Sequence, residues 1–211
     1  MFPAQFFHPS LFLAAALASA AVPAEAQRAI PSGTVESGVL SFDGRATVGD
    51  FTGTTSTISG ELAGAADLAS VRGWVEAPVK TLVTGDSRRD KDLNKSMESA
   101  KYPVIRFDLT GVVPGAARGD TLRVTLRGTF LIHGVRQEVS IPATVVMLAR
   151  GVRVRGQTPL NLKSYRIGGL SKAMGMLRMQ EEILVHLDLT FAASPVVGSA
   201  PGRPASRTAT N

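Results

Sequence analysis

Residues 84–109 read TGDSRRDKDLNKSMESAKYPVIRFDL, and the change of pattern inside this stretch decides the fold. Gly85 and Asp86 favour a turn. The next eleven residues, 88–98, hold seven charged side chains. Asp90 is suited to a helix N-cap, with Asp92 near the positive end of the helix dipole. Pro103 closes the helix, because the residue before a proline is driven out of the α region. After it, Ile105, Phe107 and Leu109 alternate with Arg106 and Asp108, which is the period of a half-buried strand. The stretch therefore predicts loop, a short helical excursion near 88–101, loop, strand.

Outward from it, the chain is strand and turn. On the N-terminal side, Leu40, Phe42, Gly44, Ala46 and Val48 alternate with polar residues, and Gly49 and Asp50 make a turn. Residues 51–62 are a frayed second strand in which Gly53 and Gly60 allow a bulge or close backbone approach. Residues 70–82 form a third, with Val71, Val75, Ala77 and Val79 on one face and Trp74 on the other, where packing is its expected role. On the C-terminal side a strand over 104–112 leads to a loop at 114–119. Residues 121–146 then read as a β-hairpin turning at His133 and Gly134. Pro142 in the return strand predicts an edge or a bulge. A last pair lies at 152–160 and 182–191.

About eight strands in meander order suggest an all-β fold, an eight-stranded antiparallel up-and-down barrel that closes on itself and so leaves no exposed edge. Such a barrel has room for side chains or one small ligand.

Composition narrows the function. The 211 residues contain no cysteine, which excludes disulfides, thiol catalysis and zinc–thiolate sites. Three histidines, at 8, 133 and 186, are too few and too dispersed for a metal centre, and no cofactor is expected. The net charge is +6, but the basic residues are scattered, with one Trp and two Tyr for stacking, so nucleic acid is not an expected partner. His133 with Asp108 or Asp188, or Ser87 beside Arg88 and Asp90, are the only catalytic groupings to weigh. None has the spacing of a known nucleophile site, so the chain is not read as an enzyme.

Residues 1–26 have the apolar run and the Ala24-Glu25-Ala26 cleavage site of a secretory leader, which predicts a periplasmic or secreted protein beginning near Gln27. Residues 27–193 form the barrel domain. Residues 194–211 are rich in Pro, Gly, Ala and Ser and are expected to be a disordered tail.

Three runs, TGDSRRDKDL, KYPVIRFDL and RGTFLIHGVRQEVSIPATV, occur in an order and spacing that resembles the YceI-like family. The resemblance spans roughly residues 34–192. It implies a lipocalin-like, extended eight-stranded barrel holding a polyisoprenoid or isoprenoid quinone-like lipid in an apolar tunnel. It also implies an exported protein that contacts membranes only transiently. An oligomer, if one forms, is expected to be a dimer.

The residues of this chain suited to line such a tunnel are the inward aliphatic and aromatic positions Val75, Ile105, Phe107, Leu126, Phe130 and Leu187. Tyr165, Met174 and Met176, in a flexible Met-rich segment between 162 and 178, are candidates for its mouth. A structural role is expected for Asp90, paired with Arg88 and Arg89 to pin the helix to the barrel. The competing reading is an exported stress or adhesion module whose barrel is filled by its own side chains.

Overall fold

A computed structural model describes residues 29–47, 49–168, 171–172 and 177–194, with 171–172 and 177–178 described by backbone alone. The leader, Val48, Met174, Met176 and the tail beyond Ser194 lie outside the described residues.

Among the described residues eleven strands form: β1 (Gly33–Gly44), β2 (Phe51–Thr55), β3 (Ser59–Ala63), β4 (Arg72–Pro78), β5 (Val104–Arg118), β6 (Thr121–Ile132), β7 (Val135–Leu148), β8 (Gly151–Asn161), β9 (Ser171–Lys172), β10 (Leu177–Arg178) and β11 (Glu182–Ala193). One α-helix, α1 (Ser87–Ser96), lies between β4 and β5. The main sheet runs β11-β8-β7-β6-β5-β4-β3-β1-β2, and β1 also pairs with β11, which closes a barrel of eight antiparallel strands with β2 as an extra one. The expected up-and-down barrel is therefore present.

The expected second strand is two pieces. β2 pairs with the C-terminal half of β1 (Leu40↔Thr55 to Gly44↔Phe51), and β3 with its first residues (Gly33↔Leu62). Gly53 serves close approach, since a Cβ there would lie 2.3 Å from the Phe42 ring. β5 is longer than expected. It runs through Pro114 to Arg118 because register shifts at Leu109/Gly111 and Pro114/Ala117 absorb the irregular residues.

The β6–β7 hairpin turns at His133 (φ 51°) and Gly134 (φ 74°), the positive φ pair that a two-residue I′ turn requires. The edge reading of Pro142 holds locally: the β7–β8 ladder begins only at Ala143↔Gly156, so the missing N–H of Pro142 costs no bond on that side. The gap beside β7 is covered by a 3₁₀ turn, Leu162–Tyr165, where Gln137 Nε2 donates to the Ser164 carbonyl at 3.3 Å.

α1 starts earlier than expected, and its cap is Asp86 rather than Asp90. The Asp86 carboxylate accepts from the Arg88 and Arg89 N–H groups at 2.8 and 3.0 Å. Those backbone hydrogen bonds, Arg89 first, hold its carboxyl below the usual range. Asp90, one turn in, instead accepts from Thr84 N (2.8 Å) and Thr84 Oγ1 (2.6 Å). The expected pairing of Asp90 with arginine is thus replaced by a closer donor pair in the preceding loop. The C-terminus ends in a Schellman motif, with Glu98 N–H to Lys95 O and Ser99 N–H to Asn94 O, and Glu98 takes the left-handed position at φ 45°.

Alternation sends aliphatic side chains inward and ion pairs outward. On the outer face of β4 and β5, Arg106 Nε donates to Asp108 at 2.7 Å and Nη1 to Glu76 at 3.1 Å, while its guanidinium lies 4.5 Å from the Trp74 ring centroid. Trp74, read from the sequence as packing under the helical stretch or against a terminal segment, lies under the Arg106 cation of β5 on the outer wall. On β8 and β11, Arg153 grips Asp188 with two bonds of 2.7 Å, and Arg155 adds a third at 3.0 Å.

Candidate functional site

An up-and-down meander places successive connections at alternate ends, so the β3–β4 link and the α1-bearing β4–β5 link lie at opposite ends of the barrel. The first end is sealed. Leu68, on the 3₁₀ turn Leu68–Ser70, and Val71 are each 1% exposed, and Ile30 is buried beside them with its N–H bonded to Ala65 O. From this plug the inner face carries an apolar cluster through Val112, Leu126, Ile141, Val152 and Phe191. A second cluster, with Val79, Met97, Ile132, Leu160, Leu162 and Ile183, gathers at the α1 end.

Along the barrel lies a cavity of about 410 Å³ whose walls include side chains of both clusters. That lies within the roughly 300–1,000 Å³ typical of small-molecule pockets. Phe107 and Phe130 meet at 5.1 Å between centroids, with the Phe107 ring over Gly128, while Gly73 and Gly156 lie on strand positions that put no side chain inward.

Six of the predicted tunnel residues, Val75, Ile105, Phe107, Leu126, Phe130 and Leu187, line this cavity. Tyr165 does not: it is 3% exposed in the second cluster, where burial pushes its phenol pKa up, and its carbonyl lies 3.0 Å from His133 Nδ1. Met174 and Met176 lie outside the described residues.

The helical excursion, read from the sequence as covering an end or side of the barrel, also supplies wall residues that were not among the predicted ones. Arg89, Asp92, Leu93, Ser96 and Met97 all line the cavity, at the i, i+3, i+4, i+7, i+8 spacing of one helical face. The signal was present, with Arg88, Lys91 and Lys95 exposed on the other face, but the density of charge hid the two apolar positions. Arg89 lies with its guanidinium 4.3 Å from the Phe51 ring centroid, and Phe51 in turn meets Phe42 edge-on at 6.1 Å.

The groupings weighed for catalysis do not assemble. Asp108 is bonded by Arg106 and Arg136, and Asp188 by Arg153 and Arg155. His133 is buried in its turn, its Nε2 3.7 Å from Glu98. A different chain of groups does form: His186 Nε2 lies 2.7 Å from Asp43, which accepts from Thr52 Oγ1 at 2.7 Å. Both bonds hold the Asp43 carboxyl below its ordinary range, Thr52 more than His186. This chain sits on the opposite strand face from Phe42 and Val185 and does not reach the cavity. Among the described residues no group of three or more acidic, histidine or cysteine side chains is placed to hold a metal.

A wall of this kind can take a chain out of water but offers few hydrogen bonds to it. Fold and cavity together define a closed antiparallel barrel with an apolar interior walled in part by a helix. Residues 34–191 match the YceI-like domain, and the chain belongs to that family. Among solved structures it is similar to BcnA of Burkholderia cenocepacia, with 17% identity and a TM-score of 0.61 over 73% of this chain and 95% of that one. It is similar as well to a polyisoprenoid binding domain from Saccharophagus degradans implicated in plant cell wall breakdown, with 18% identity and a TM-score of 0.62 over 78% and 99%. At these identities the likeness is one of fold. No curated protein matches the sequence.

Proposed function

We propose that this protein is an exported carrier or sequestering protein that holds a long-chain isoprenoid lipid, a polyisoprenoid or an isoprenoid quinone, in the barrel cavity and performs no catalysis on it. The observation that carries the reading is the cavity itself, about 410 Å³ lined almost throughout by aliphatic and aromatic side chains. A barrel filled by its own side chains, as the stress or adhesion reading requires, would leave no such space. Each methylene-sized group withdrawn from water contributes about 0.8 kcal/mol, before the cost of association, so chain length drives affinity where hydrogen bonds do not. The polyisoprenoid binding domain of similar fold adds support for the chain type. The apolar run ahead of Ala24-Glu25-Ala26 supports export, and transfer to and from membranes would follow as a transient contact.

The test is organic extraction and mass spectrometry of the purified protein, with titration by a prenyl quinone followed through intrinsic fluorescence. Stoichiometric recovery or saturable uptake is expected, and Leu187→Trp, which fills the middle of the cavity, should abolish both while the barrel stays folded. Neither lipid nor uptake in the unsubstituted protein overturns the reading.

A further inference from the structure

The two ends of the cavity differ in polarity. The sealed end offers the wall aliphatic residues such as Leu68 and Val71, whereas the α1 end offers charged side chains, Arg89 and Asp92. An amphiphile entering such a barrel places its chain toward the first and its head toward the second, because a polar head pushed among aliphatic side chains loses its water without replacement.

Arg89 differs from the arginines of the outer wall. Arg106 and Arg153 spend their donors on carboxylates at 2.7 Å. Arg89 is half-buried, stacked on Phe51, and among the described residues its guanidinium reaches only the Thr84 carbonyl, at 3.5 Å. The adjacent carboxylate Asp90 is taken by Thr84, while Asp92, three residues on, shares Arg89's face of the helix and the cavity wall. The helix contributes four basic and two acidic side chains, Asp92 on the cavity wall being one of the acidic pair. A planar guanidinium with N–H groups still available, held over an aromatic face at the α1 end of an apolar cavity, is suited to an oxyanion.

We infer that Arg89 is a specificity-determining residue that binds the ligand's head at the α1 end, and that the preferred head is anionic, a carboxylate or a phosphate monoester. The inference rests on the apolar-chain reading above and adds the orientation and head chemistry of the ligand.

The experiment uses the complete chain and three probes sharing one C20 prenyl chain: geranylgeraniol, geranylgeranyl monophosphate and the corresponding carboxylic acid. The unsubstituted protein is expected to bind one or both anions about tenfold more tightly than the alcohol, the scale of one charge-assisted hydrogen bond. The two anionic arms distinguish phosphate from carboxylate. Arg89→Ala should remove that preference, so that the three probes bind alike, with continued saturable uptake of the alcohol showing the cavity intact, and Arg89→Lys should keep part of it. Arg88→Ala removes the same charge from the solvent face and should keep the full preference. Equal binding of all three probes to the unsubstituted protein, or equal loss in the Arg88 and Arg89 variants, overturns the head assignment and leaves the carrier reading standing. Failure of every probe to bind overturns both.

Discussion

The two ends of this barrel are closed by opposite means. At one, Leu68 and Val71 are buried to 1% exposure and the N-terminal segment is tied across by Ile30 N–H to Ala65 O. At the other, a ten-residue helix with no fully buried side chain turns one face inward and a row of Arg and Lys outward. The sealed end is a packed core. The α1 end has its own buried cluster, but α1 itself rests on its cap, the Thr84–Asp90 bonds, the Arg89–Phe51 stack and the contacts of Leu93 and Met97, so the helix is the part expected to open first.

The largest effect that tests this contrast is a pair of truncations. Leu68→Ala leaves a cavity in the plug and should cost about 2–5 kcal/mol of global stability in denaturant unfolding. Leu93→Ala, on the half-buried face of α1, should cost clearly less and instead accelerate lipid entry and release in stopped-flow measurements. Equal stability losses would mean that the two ends are packed alike.

A smaller effect concerns pH and belongs to the barrel wall, common to both ends. The bonds from Arg153, and then those from Arg155, hold the Asp188 carboxyl below its ordinary range. Its folded pKa lies below its unfolded one, so its contribution is fully present above the unfolded value and is lost as pH falls toward the folded value. With 38% of the side chain exposed, that contribution should be under about 1 kcal/mol. Asp188→Asn should therefore lower stability slightly at neutral pH and flatten its decline below about pH 4, the range in which carboxyl groups titrate. The smallest effect is local: Asp86→Ala should speed hydrogen exchange at the first amides of α1 without changing that of β6.

Much of this was legible in the residues. The pattern Ile105-Phe107-Leu109 and the hairpin over 121–146 mark strand faces directly, because a two-residue period survives any closure of the sheet. The inward facing of six residues on the cavity wall was readable from alternation, while a tunnel for them to line came from the family resemblance. The helix cap was harder to read, since Asp86 and Asp90 both have the right chemistry. Only the position of Thr84 relative to the helix decides which carboxylate caps it. The inner face of α1 was hidden because Leu93 and Met97 supply only two apolar positions among many charges, and half-burial against a cavity needs no more. The division into β2 and β3 depends on how β1 meets two neighbours in succession, a tertiary matter that Thr- and Gly-rich residues do not signal.

Closure of the barrel has a kinetic consequence. Most other pairings join strands near in sequence, but the seam sets Gly33 against Ala193 and Leu40 against Leu187, so the first and last strands must find each other across nearly the whole folded chain. Contacts this distant are slow to form. The cavity has no complete wall until β11 is in place, so an apolar chain can be fully enclosed only after this seam has closed.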